Sequence, residues 1–152
     1  MYFFNNAVKM KVKGLNKLIK RIEKAEKDVE RKISKEIEST TLIARNTAIE
    51  NAPKDKGQLR QGINFKKLTN TSFQLFSQMH YTIFQEFGTG SKVNVPTDIP
   101  ESLRQAALEM KFSKSGLSNP RSITPKLFMT KAYREAKQRL ETNLPKILNE
   151  RR

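Results

Sequence analysis

From Leu15 to Ala52 the chain contains neither Gly nor Pro, and apolar residues recur at Leu15, Leu18, Ile22, Ala25, Val29, Ile33, Ile37, Ala44 and Ala48. Steps of three and four keep these positions on one face of a helix, so the pattern predicts a single long helix over residues 15–52. If continuous it spans about 57 Å, more than a small core requires. The stripe does not hold a strict heptad past Val29, which argues against a long coiled coil. Ser39-Thr40-Thr41 lowers helix propensity and marks the expected place of a kink. Upstream, Val8, Met10 and Val12 alternate with Lys9, Lys11 and Lys13, the period-two pattern of a strand with one apolar and one basic face.

Pro53 stops the long helix, because its ring clashes with the preceding turn and it has no N–H to donate. Asp55 and Gly57 suit a tight turn. Residues 59–68 then read as a strand with Ile63 and Phe65 on one face and a bulge at Gly62. Thr69-Asn70-Thr71 is a turn, and Phe73 and Leu75 resume the alternation as far as Gln78, giving a β-hairpin over about 59–78. His80 to Phe87 is a short helix or an aromatic-rich connector. Residues 91–100 form a loop whose Val93, Val95 and Ile99 suit a docking arm. Residues 101–110 read as a short helix and residues 111–124 as loop. A last amphipathic helix covers about 126–143 through Ala132, Ala136 and Leu140, and Pro145 interrupts it. The expected fold is α+β: a long N-terminal helix and a C-terminal helix packed on a small antiparallel β-sheet, in one domain over 1–152.

Composition sharpens this picture. Only 36% of the 152 residues are hydrophobic, so much of the helix must be exposed or covered by partner subunits. With no Cys there is neither a disulfide nor a thiolate metal site. No apolar run approaches the length of a membrane span, and Met1-Tyr2-Phe3-Phe4 is too short and lacks the basic lead of a signal peptide. A soluble protein made in the cytoplasm is expected.

The net charge is +15. The excess is spread along the chain, with 12 basic against 7 acidic groups in residues 1–52, 6 against 3 in 53–100, and 12 against 5 in 101–152. Such a field attracts a polyanion, nucleic acid first, or an acidic neighbour in an assembly. Lys54, Lys56, Arg60, Lys66 and Lys67 cluster near the turn and its strand. With Arg151 and Arg152 they are the candidate DNA-facing groups.

Catalytic chemistry is not legible. His80 is the lone histidine, and a lone His beside aromatics is far more often packing or surface than catalytic. Gly88-Thr89-Gly90-Ser91-Lys92 lacks the spacing of a phosphate loop, and Val93-Asn94-Val95-Pro96 cannot open the helix such a loop requires. Glu86 is best read as one half of a buried or inter-subunit ion pair. Phe73, Phe76, Tyr81, Phe84 and Phe87 have few basic residues among them and fit a core or interface better than a base-stacking platform. No enzyme activity, cofactor or metal is expected.

Three short patterns remain. The first is Ala52-Pro53-Lys54-Asp55-Lys56-Gly57-Gln58-Leu59-Arg60. The second is Tyr81-Thr82-Ile83-Phe84-Gln85-Glu86-Phe87-Gly88-Thr89-Gly90. The third runs from Ile123 through Pro125 and Phe128 to Ala132. In this order they resemble the tailed-bacteriophage neck proteins, called head–tail joining or tail-completion proteins, over about residues 12–148. Lys56 stands where that family usually has Thr, and residues 98–119 form a longer link than usual.

The resemblance implies a structural virion component that completes the tail and joins it to the head around the DNA channel. Its implied partners are itself in a ring (a hexamer by tail symmetry), the tail terminator or tail-tube proteins, head-closure or connector proteins, and channel DNA. The implied motif and interface residues are Pro53, Asp55, Gly57, Leu59, Arg60, Tyr81, Glu86, Phe87, Gly88, Thr89, Pro125 and Phe128. The competing reading is a small basic nucleic-acid-binding protein.

Overall fold

The computed structural model describes residues 15–54, 57–112 and 123–150. The strand pattern at 8–13, Asp55, Lys56, most of the 111–124 loop, and Arg151 and Arg152 lie outside the described residues. The element order is α1 (Leu15–Asn51), α2 (Gln58–Gln61), β1 (Ile63–Thr69), β2 (Ser72–Ser77), α3 (Thr82–Phe87), a 3-10 turn (Gly90–Lys92), α4 (Glu101–Phe112) and α5 (Phe128–Asn149). The fold is α+β, as expected.

Helix α1 runs unbroken through Ser39-Thr40-Thr41. The hydroxyls there have partners that leave the backbone ladder intact. Thr41 Oγ1 donates to the Ile37 carbonyl at 2.8 Å. Thr40, almost fully buried, donates to Glu36 Oε1 at 3.3 Å and accepts from Arg139 Nε at 3.1 Å.

Helix α5 lies antiparallel to α1. The cross-helix bonds step down one helix as they climb the other: Lys32–Glu150, Glu36–Asn143, Thr47–Glu135 and Lys131–Asn51. Between the polar rims the contact is made of small residues. Ala44 and Ala48 of α1, Ala52 just past its end and Ala132 of α5 are all buried, and the spacing of four places Ala44 and Ala48 on one face of α1. Helix α5 also continues to Asn149 through Pro145, contrary to the expected stop. Pro145 is exposed, and the turn beyond it closes with Glu150 N–H donating to the Lys146 carbonyl at 3.0 Å.

The hairpin pairs Ile63 with Ser77, Phe65 with Leu75 and Lys67 with Phe73. Its beginning differs from the expectation. Residues 58–61 form a helical turn, not strand, and Gly62 closes that turn rather than marking a bulge. Gly57, at φ +76°, starts the turn, and Leu59 is drawn inward to 4% exposure. The register shift lies instead between Lys67 and Thr69. A two-stranded sheet is marginal alone. This one is stabilised by its face against α1, where Ile63 and Leu75 join the cluster of Ala44, Ala48, Leu59 and Phe128.

Candidate functional site

Each of the three sequence patterns closes a joint, and the joints meet. In the first, α1 ends at Asn51 and its last carbonyls are left without intrahelical donors. Arg60 supplies them. Its Nε and Nη2 donate to the Ala52 carbonyl at 3.1 and 2.9 Å, and Nη2 also donates to the Glu50 carbonyl at 3.1 Å. A cation at a helix C-terminus also opposes the helix dipole. Gly57 and Leu59 set the turn that carries Arg60 back to the helix end. A second arginine, Arg45, donates from Nε to the Ile63 carbonyl at 3.0 Å and ties α1 to the start of β1.

The second and third patterns form the mirror joint. Leu127, at φ +51°, precedes α5 and offers no side-chain cap. Glu86 supplies one. Its Oε1 accepts from Thr130 N–H at 2.8 Å and Thr130 Oγ1 at 2.6 Å, and its Oε2 accepts from Met129 N–H at 2.9 Å. Glu86 is 2% exposed. It is therefore buried as expected, but its partners are the first turn of α5 rather than a cation. An anion at a helix N-terminus is favoured by the unpaired N–H groups and by the dipole.

The backbone around Glu86 locks in the same place. Lys126 and Leu127 N–H donate to the Gln85 and Glu86 carbonyls at 2.9 and 3.1 Å. Thr89 N–H donates to the Ile123 carbonyl at 3.0 Å, and Ile123 N–H donates to Thr89 Oγ1 at 2.9 Å. Gly88, at φ +76°, lies so close that a Cβ on it would sit 2.6 Å from the Ile123 oxygen and 2.8 Å from Pro125 Cδ.

Phe87 and Phe128, both fully buried, carry the joint into the interior. Phe128 joins Leu59 in the α1–α5 core, with Tyr81 packed against it. Phe87 packs with Ile99 and Ala107 in a second cluster, against which Val93, Val95 and Leu127 rest. The 93–99 stretch therefore docks on its own chain. Outside this cluster Arg134 grips Asp98 in a two-pronged ion pair at 2.6 and 2.8 Å. Those hydrogen bonds first, and the charge of Arg134 after them, hold the Asp98 carboxyl below the usual aspartate range.

The candidate DNA-facing residues separate. Arg60 is committed to the end of α1. Lys54, Lys66 and Lys67 are exposed. Lys66 and Lys67 stand over the rings of Phe76 and Phe73, at 5.8 and 5.9 Å from the centroids.

His80 is exposed and meets the Tyr81 ring edge-on at 5.4 Å. Gly90–Lys92 is a single 3-10 turn followed by extended chain, and Lys92 Nζ donates to Thr124 Oγ1 at 3.2 Å, so the glycines do not cradle a phosphate. Among the described residues no group of three or more His, Cys, Asp or Glu is placed to hold a metal ion. No helix of the described residues is long and apolar enough to cross a membrane.

The Glu86 cap was missed from sequence because Thr130 lies far along the chain and no local capping box announces it. A buried glutamate in a Gly-rich corner was the available signal.

Residues 16–88 match the family model described as "Bacteriophage HK97-gp10, putative tail-component". The match runs along α1, through the Arg60 joint and the hairpin, and ends on Gly88. It bears out the resemblance to phage neck and tail-completion proteins. No curated protein matches the chain, and no solved structure does.

Proposed function

We propose that this chain is a structural component of the neck or upper tail of a tailed phage or prophage. It forms a closed ring, six-fold by the symmetry of tails, that completes the tail and joins it to the DNA-filled head. The whole of 1–152 acts as one domain in this role. Its neighbours are the tail terminator or tube on one side and head-closure or connector proteins on the other.

The observation that carries the reading is the use made of the motif residues that fall within the 16–88 match. Arg60 and Glu86 are spent on the two helix ends, so the motif residues build a rigid part and leave no reactive group. Closed rings satisfy a repeated interface without growing fibres. The exposed Lys54, Lys66 and Lys67 are then placed to let DNA pass by phosphate contacts that carry no sequence information.

Removal of the gene from a producing phage tests this. DNA-filled heads and finished but separate tails are expected, with joining restored by the supplied protein. Normal infectious particles without the protein would contradict it. The alternative of a small basic nucleic-acid-binding protein rests on the +15 charge. It requires tight, steeply salt-dependent binding to free DNA by the isolated chain.

A further inference from the structure

Helix α1 outruns the body that packs on it. Among the described residues, the first cross-element bonds along α1 are Asn70 to Glu30 at the hairpin tip and Lys32 to Glu150 at the end of α5. Residues 20–27 before that point are all exposed. Among the described residues, 20–29 make no cross-element hydrogen bond, and the helix from Leu15 to Val29 is an arm of about 21 Å. A lone helix of this length is marginal in water. Ile22, Ala25 and Val29 nevertheless share one face of it, and Ile22 is 51% exposed.

Elsewhere the body carries an open apolar groove of about 930 Å³, lined among others by Ile37, Leu75, Leu103, Tyr133, Leu140 and Leu144. Its α5 wall runs from Met129 to Pro145, a length of about 24 Å. An exposed apolar surface of this kind marks a protein contact.

From these two features we infer that the projecting part of α1 seats its apolar face in the groove of a second copy. The arm and the α5 wall agree in length within one helical turn. The arm cannot enter its own groove. The same unbroken helix forms one wall there through Ile37 and Ala44, and no Gly or Pro between residues 15 and 51 offers a hinge. A protruding ridge and a separate receiving groove on one chain make a head-to-tail contact, which closes into a ring when the rotation allows. The inference rests on the ring reading and supplies its interface.

The chain has no cysteine, so single cysteines report the contact cleanly. Full-length Ile22→Cys and Leu140→Cys chains are mixed and mildly oxidised. A cross-linked product of twice the 17.6 kDa chain mass is expected. Replacing the arm partner with Lys27→Cys, on the opposite face, should lower the yield at least about tenfold. Sedimentation of the wild-type chain is run alongside. Oligomers without the Ile22–Leu140 cross-link would overturn arm docking and leave the ring standing. A monomer at every concentration with no cross-link would overturn both. Ile22→Cys cross-linking chiefly to itself would mean arm-to-arm pairing and would also overturn the inference.

Discussion

The Glu86 carboxylate closes the first turn of α5 through Thr130, taking both its N–H and its hydroxyl at 2.8 and 2.6 Å. The two residues lie 44 apart in sequence, so this one contact joins the second and third motifs. Replacing Glu86 with Ala strands two buried donors on Thr130 and a half-buried one on Met129. A loss of about 2–4 kcal/mol is expected, from unpaired groups plus the lost dipole interaction. Thr130→Val removes one donor and should cost about 1 kcal/mol. Urea unfolding of the two variants gives the comparison. Equal and small effects would show that the cap is incidental.

Gly88 and Gly57 share a φ of +76° but differ in surroundings. Gly88→Ala meets the Ile123 carbonyl and Pro125, whereas nothing lies within 4 Å of a Cβ at Gly57. Gly57→Ala should cost about 1–2 kcal/mol from the left-handed backbone alone. Gly88→Ala should cost more, by the overlap added to that term. Thermal melts that rank the pair the other way would refute this account of the joint.

Arg60 makes a forked contact with two carbonyls at the end of α1. Arg60→Ala should destabilise by about 1.5–3 kcal/mol, the range for hydrogen bonds from a charged donor. Arg60→Lys should recover only part, because an ammonium cannot reproduce the planar fork. Full rescue by Lys would mean that charge alone matters there.

The Asp98–Arg134 pair should respond to acid. A carboxyl whose folded pKa is lowered contributes stability that is fully present above its unfolded pKa and is lost as pH falls through the folded one. The hydrogen bonds from Arg134 lower Asp98, and those from Arg104 lower Glu101. The loss therefore falls below about pH 4. Both pairs are solvent-exposed, so salt should weaken the effect. Asp98→Asn should flatten the acid limb of a melting-temperature profile and change little near neutral pH. An unchanged acid limb would assign it to other carboxylates.

The basic surface has its own test. Reversing Lys54, Lys56 and Lys67 to Glu should lower the yield of DNA-filled, tailed particles while leaving the subunit folded. Normal yields would mean that these lysines face solvent or acidic protein, not channel DNA.

The sequence reading succeeds where a signal is local and repeated. The 15–52 stripe specified α1 almost to the residue, because no Gly or Pro competes with it. The hairpin came from its alternation and the 69–71 turn. The readings that failed each involve a competing contact. Residues 58–61 turn helical because Gly57 takes a left-handed conformation and Leu59 is drawn under α1. Residues 39–41 do not break α1, with Arg139 and Glu36 holding the Thr40 hydroxyl. Helix α5 passes Pro145 on an exposed turn near its end, where one lost backbone bond is tolerated. Glu86 and Arg60 were legible as motif residues but not as caps, because the helix ends they serve become their neighbours only after folding.

Imaging of the head–tail junction in purified particles by electron cryo-microscopy tests the central claim most directly. Several copies in a closed ring between head and tail are expected, with the α1–α5 pair and the Glu86 joint recognisable in each subunit. A single copy per particle, or particles whose neck lacks the chain altogether, would contradict the account.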